Sequence, residues 1–238
     1  MNNMLVRSVL FFVLIFLNFH ALNAQDEEGG DFKKRRIPFS IGIDGGISSI
    51  ATPNAFQNNF NSAGDASMLF DFGISSKFSA SALLRYSALQ VRSTMVNIAD
   101  SANIMDNGIT STRLNLFSQG IGLNYLSWLG DYTFLSTGLY YGNTMAWYTK
   151  LRSDFKGDAK DAAFNTRFIE PRILLTYYFE DHFAMNVRMG YTHVFGYFSP
   201  EKIGLNNGVI SYESSDLKSE IGYFTVGLGF TWSLKRID

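Results

Sequence analysis

Gly222-Tyr-Phe-Thr-Val-Gly-Leu-Gly-Phe-Thr-Trp-Ser-Leu234 alternates residue by residue. Phe224, Val226, Leu228, Phe230, Trp232 and Leu234 share one parity, and Thr225, Gly227, Gly229, Thr231 and Ser233 share the other. Successive side chains of a strand point to opposite faces, so one face here is wholly apolar and the other small and polar. A half-solvated strand of a soluble sandwich sets charged or long polar side chains against water. No Lys, Glu or Arg stands on this second face. Small uncharged groups suit the crowded interior of a barrel, with the large apolar side chains turned to lipid.

The rest of the 238-residue chain agrees with that choice. Aromatic residues make up 16% and there are 21 glycines against 4 prolines, a balance that fits many strands. Residues 1–24 read as an export signal: Arg7 gives a positive start, Val9–Phe19 is a nearly unbroken apolar run, and Ala24-Gln25 offers a cleavage point, although Leu22 is large for its place. The run is too short to cross about 30 Å of hydrocarbon as a helix, so cleavage is expected in preference to a retained anchor. Without residues 1–24 the chain keeps 19 basic and 21 acidic groups, a net charge of −2 that indicates neither nucleic acid nor a strongly anionic partner. The absence of cysteine excludes disulfides, thiolate metal sites and a lipid-modified N-terminal cysteine. No later segment has 18 consecutive apolar residues, so a membrane protein with this sequence crosses as a closed barrel.

Residues 25–36 form a polar tail, acidic then basic, read as a flexible lead-in, with Lys33–Arg36 against anionic headgroups as the alternative. Seven further segments alternate as Gly222–Leu234 does: Ile37–Ser48, Ser67–Ser75, Phe78–Gln90, Thr112–Leu126, Tyr132–Thr144, Phe164–Phe179 and Phe183–Phe195. Leu83 breaks the pattern within the third. In the fourth, Leu114 and Leu116 lie on one parity and Ile121, Leu123 and Tyr125 on the other, which predicts either a bulge near Phe117–Gly120 or a misplaced strand start. Connections alternate between long (Ser49–Ala66, Val91–Ser111, Met145–Ala163, Tyr197–Ser219) and tight (around Ser76, Leu129 and Asp181). Long extracellular loops and short periplasmic turns are expected of a transmembrane barrel, and they put both termini in the periplasm. Outward aromatics fall at two levels, Phe39, Phe78, Tyr125, Trp128, Tyr132, Tyr177, Phe179, Phe183 and Trp232 near the turns, and Tyr86, Tyr141, Trp147, Tyr148, Tyr191, Phe195, Tyr197 and Tyr223 near the loops, as in interfacial girdles.

The expected fold is all-β: an eight-stranded antiparallel up-and-down transmembrane β-barrel over residues 37–234, with a short tail at 235–238. Across that range the layout resembles the small porin-like outer-membrane β-barrel family of OmpA/OmpX size. The ending Thr225-x-Gly227-x-x-Phe230-x-Trp232 resembles that family's assembly signal, except that six residues follow Trp232. The resemblance implies an outer-membrane location, and outer-membrane lipid and the barrel-assembly machinery as partners.

The parity predicts six inward charges, Asp44, Asp71 and Glu170 against Arg85, Arg172 and Arg188. An eight-stranded interior is just wide enough for side chains to fill, and buried charges must pair. A salt-bridged plug is therefore expected, with a narrow ion path or a lumen binding site as alternatives. No catalytic, cofactor or metal site is expected. His182 lies in a turn beside Glu180 and Asp181, and His193 has lipid-facing parity. Lipid A deacylases, which His193 brings into comparison, carry a Ser two residues after the His, where this chain has Phe195. No nucleophile–His–acid spacing and no His-x-x-x-His occurs. The sequence thus predicts a non-enzymatic barrel serving envelope integrity or surface contact through its loops. The alternatives are an accessory of a secretion or assembly machine, with a protein partner, and a small-solute channel.

Overall fold

The computed structural model describes residues 37–52, 60–61, 63–91, 94–99, 105–153, 163–198 and 219–234. The predicted signal segment, the polar tail, residues 235–238 and much of the long loops, residues 199–218 above all, lie outside the described residues.

Ten strands follow one another: β1 (Phe39–Thr52), β2 (Phe60–Asn61), β3 (Ala63–Gly73), β4 (Phe78–Val91), β5 (Thr94–Ala99), β6 (Met105–Trp128), β7 (Thr133–Ser153), β8 (Phe164–Tyr178), β9 (Phe183–Phe198) and β10 (Ser219–Ser233). Eight of them close a ring in the order β1, β3, β4, β6, β7, β8, β9, β10, every contact antiparallel. The short β2 adds to β4, and β5 adds to β6. The cross-strand path Ser48–Thr225–Gly190–Arg172–Gly138–Asn124–Ser79–Gly73–Pro38 goes once around the ring and ends ten residues lower on the same stretch of chain. Such a stagger tilts the strands and keeps the lumen narrow.

The three tight turns stand at one end of the ring, here the turn end. At Ile74–Lys77 the hydroxyl of Ser75 accepts from the backbone N–H groups of Lys77 (3.3 Å) and Phe78 (3.1 Å), so the turn is closed by its own sequence. Backbone bonds from Leu129 to Thr133 (2.9 Å) and from Phe179 to Phe183 (3.2 Å) close the other two.

Outward side chains form an apolar belt touching all eight ring strands, with Ile47, Phe72, Leu84, Ile121, Leu139, Leu175, Met189 and Leu228 among its members and exposures reaching 73% at Ile121. The interior is layered. Ile37, Leu126, Phe134, Tyr178 and Ala184 pack together at the turn end, small polar residues and then charged ones follow, and Leu89, Leu114, Leu116, Ala146, Val194, Ile221 and Tyr223 fill the far end.

This apolar far end corrects several expectations. Leu114 and Leu116 point inward and are completely buried, and β6 pairs with β4 without interruption from Arg113 to Tyr125, so the bulge near Phe117–Gly120 does not exist. Leu83 likewise keeps the strand parity and packs inside against the same cluster. Tyr223, assigned to the outer girdle, is an interior residue, and Trp128 packs against the inner turn-end cluster, 5.1 Å from the Phe134 ring. Ile37 is buried in that cluster ahead of β1 instead of facing outward. The strands also outrun their predicted ends. β7 continues to Ser153, and Thr94–Ala99 pairs with Met105–Thr110 inside the segment read as a loop.

Candidate functional site

The conspicuous chemistry is inside the barrel, and all six predicted charges face inward. They sort into two ion-pair networks and one lone acid.

Arg188 of β9 is fully buried, and its Nη2 lies 2.8 Å from Asp44 Oδ1 of β1 and 2.7 Å from Asp65 Oδ2 of β3. The Ser67 hydroxyl donates to Asp44 Oδ2 at 2.6 Å. The guanidinium reaches these acids by crossing Gly227, its partner on β10. A Cβ at residue 227 would stand 2.8 Å from Nη2 and 2.9 Å from the Gly45 carbonyl, so only glycine leaves room for the crossing. Asp65 is the site residue that the sequence reading missed, because it fell in the assigned loop Ser49–Ala66. Extending the alternation of Ser67, Leu69 and Asp71 one step back would have included it.

The second network centres on Glu170 of β8, also fully buried. It accepts from Arg85 of β4, from Arg172 Nε at 2.8 Å and from the Thr192 hydroxyl at 2.7 Å. Both guanidinium groups stand over rings: Arg85 Cζ is 5.7 Å from the Phe168 centroid and 5.4 Å from that of Tyr223, and Arg172 Cζ is 4.9 Å from that of Tyr140. A cation desolvated over aromatic faces and paired with a carboxylate recovers much of its lost hydration. Asp71 of β3 stands apart nearer the turn end. It accepts from the Ser81 hydroxyl and from Asn124 Nδ2 (3.2 Å), and Asn124 in turn accepts from the Tyr140 hydroxyl at 2.8 Å.

The residues of the proposed assembly signal divide between the faces. Thr225 and Gly227 are inside, while Phe230 and Trp232 are on the outer belt. His182 of the third turn bonds through Nδ1 to the Ser233 carbonyl at 3.0 Å, tying that turn to the end of β10. His193 lies on the outer side near the far end, with Nε2 2.7 Å from Glu220 Oε2 and its ring edge-on to Phe195 at 4.9 Å. Its acid partner was not visible from spacing, because the two meet across neighbouring strands. Among the described residues no hydroxyl is hydrogen-bonded to this pair, and no three His, Asp or Glu groups gather as a metal site.

No protein-family model matches the chain, and no curated protein matches it. Among solved structures, neisserial surface protein A is similar with a TM-score of 0.51 at 10% identity, covering 84% of this chain and 99% of that one. The outer membrane protein OprG of Pseudomonas aeruginosa gives 0.44 at 10% identity over 85% of this chain and 99% of its own. Ail, the attachment invasion locus protein of Yersinia pestis, gives 0.39 at 10% identity over 83% and 97%. The likeness to the neisserial protein is one of fold, and it agrees with the ring traced above: the chain has the closed, all-antiparallel, eight-stranded architecture of the small outer-membrane β-barrels.

Proposed function

We propose that this protein is a non-enzymatic, non-conducting outer-membrane barrel that supports envelope integrity or surface contact through the end opposite its tight turns. The observation that carries this reading is the layered interior, in which a salt-bridged centre lies between two packed apolar clusters. Water and ions cross a lumen along polar, hydrated paths, and here Leu114, Leu116, Phe168, Val194 and Ile221 occupy the section with complete burial. The protein reconstituted in a planar bilayer is expected to give a flat current trace. Discrete conductance steps would favour the channel reading.

The membrane location follows from the belt, since a soluble monomer does not surround itself with exposed Ile, Leu, Phe and Met. Leu139, paired with Leu123 and Pro171 on the neighbouring strands, is at mid-belt and 54% exposed. Leu139→Arg should lower stability in phospholipid vesicles by about 2–4 kcal/mol, the cost of an arginine at the bilayer midplane. An unchanged urea midpoint, or recovery of the protein in the soluble periplasmic fraction, would remove the membrane assignment. In this reading the turn end and both chain ends face the periplasm.

A second reading, an accessory that holds a protein partner, is favoured by one feature. Beyond the ring β6 and β7 continue past their last pairs with β4 and β8 (Arg113 and Ala146), pair with each other up to Thr110 and Ser153, and take β5 as a third strand. This arm projects from the loop end on one side of the barrel. Crosslinking in intact cells from positions on the arm should capture one envelope protein repeatedly if the accessory reading holds, and only the barrel itself otherwise.

A further inference from the structure

The apolar belt is interrupted on one side of the barrel. On β6 Gln119 is exposed between exposed Phe117 and Ile121, and on β7 its cross-strand partner Asn143 is exposed between exposed Tyr141 and Met145. Toward β4 the neighbour of Gln119 is Leu84, again exposed. The two amides thus form an island in the lipid-facing surface, with apolar side chains above and below. Among the described residues no other exposed amide or charged side chain is enclosed in this way, and neither amide has a hydrogen-bond partner. Arg167, next in the same row on β8, is followed toward the loop end by exposed Asn165 and marks the edge of the belt. Hydrocarbon offers an amide no partner, and polar side chains at that depth mark function.

A second irregularity lies below the first. Ile121, the most exposed large apolar side chain among the described residues, stands beside Ala82, its cross-strand partner on β4, and Ala80 continues this low ground toward the turns. Strand tilt sets the two features in line. The stagger of the ring makes each cross-strand row climb from β4 through β6 to β7. A step of two residues down β6, from Gln119 to Ile121, therefore also moves sideways by about one strand. The Ala82–Ile121 pair lies beneath the Gln119–Asn143 pair, and one line parallel to the barrel axis passes between the members of both.

We propose that this face of β4, β6 and β7 binds a second copy of the same chain within the membrane, about a two-fold axis along that line. A two-fold relating two copies inserted the same way runs along the membrane normal, and it sets each member of a pair opposite the other member in the second copy. Gln119 of each copy then meets Asn143 of the other. An amide both donates and accepts, so the four groups satisfy one another, as polar side chains do between protein surfaces in lipid. Ile121 meets Ala82 in the same way, a projection against low ground. Each surface carries its own complement, polar and steric, which is what a self-association requires and a foreign partner does not. Arg167 is off the axis, so the like charges of the two copies stay on opposite sides of the contact. The inference rests on the membrane reading of the belt and adds an oligomeric state to it.

The chain has no cysteine, so single cysteines report the contact. Ile121→Cys, near the axis, is compared with Leu228→Cys, which is also lipid-facing but on β10 at the opposite side of the ring. Both are folded into phospholipid vesicles and treated with a short bismaleimide. Ile121→Cys should give a crosslinked dimer and Leu228→Cys only monomer. Adding Gln119→Leu with Asn143→Leu should lower the association constant, read from dimer yield against lipid dilution, by about tenfold. Ala82→Phe, which fills the low ground and leaves the amides in place, should lower it as well. Should either of these fail to close, as judged by heat-modifiable gel mobility, the other carries the test. Monomer at both positions, equal yields at both, or a dimer that these substitutions leave unchanged overturns the proposal. So does an adduct with a different envelope protein, in place of the dimer, when Ile121→Cys is crosslinked in intact cells. A chain that does not enter the vesicles overturns the membrane reading together with this inference, whereas one that enters and stays monomeric overturns this inference alone.

Discussion

Glu170→Leu should destabilise the barrel by about 3–5 kcal/mol, the range seen when one partner of a buried ion pair is removed. Leucine nearly preserves the volume, so the loss comes from what is left behind. Arg85 and Arg172, both buried, would keep their charges with no carboxylate between them, and the Thr192 hydroxyl would lose its acceptor. Mutual repulsion of the two guanidinium groups adds to the cost. The measurement is the urea midpoint in lipid vesicles, read from tryptophan fluorescence.

The single substitution has an informative companion. Replacing Glu170, Arg85 and Arg172 together with Leu or Met of similar length removes the stranded charges along with the pair. Buried ionic clusters replaced as a unit by apolar groups are often neutral or stabilising. The triple variant should therefore recover most of the stability that the single variant loses. If the triple is as damaged as the single, the region tolerates no apolar packing and the ion pairs are not the cause. If the single is harmless, the interior is hydrated enough to solvate Arg85 and the plug reading fails.

The eight ring strands were legible because lipid imposes an outer face that is uniformly apolar, and period-two alternation records it, as in Phe224–Leu234 and Phe183–Met189. The reading failed where that rule stops holding. Above the charged layer the lumen is sealed by Leu89, Leu114, Leu116 and Val194, so apolar character no longer distinguishes outside from inside. Toward the loop end the outer face also turns polar, at Gln119, Asn143 and Arg167, all exposed. Both faces then carry the wrong sign for a lipid-based rule, and the supposed bulge in β6 was the result. Strand ends were missed for the same reason, since residues beyond the membrane need no apolar face. The inward charges were found from parity, but their partners were not. Arg188 and Asp65 are separated by 123 positions and meet only because β9, β10, β1 and β3 are ring neighbours, a fact of closure.

Closure itself rests on a few positions, and Gly46→Val is expected to prevent most of the protein from reaching the folded barrel. The β1–β10 pair joins the two ends of the barrel sequence, so it forms only after the chain has come full circle. Gly46 faces inward on β1 opposite Gly227. A Cβ there would lie 2.2 Å from the Val226 carbonyl oxygen, 2.7 Å from the Gly227 Cα and 2.9 Å from Asp65 Oδ1. The first two are backbone atoms of the seam and cannot rotate away. Relief requires β10 to move off β1, which also withdraws the floor over which Arg188 reaches Asp44 and Asp65. Overpacking alone typically costs about 1–3 kcal/mol, and loss of the ion pair across the same seam adds to it. The neighbouring Gly45 provides the control. It points outward, and a Cβ there meets only the Asp65 carbonyl, at 3.9 Å. Gly45→Val should fold normally and keep the heat-modifiable gel mobility of a closed barrel, while Gly46→Val should migrate as unfolded chain with or without heating. Equal behaviour of the two variants, in either direction, would mean that the tight approach of β1 to β10 at Gly46 does not control closure.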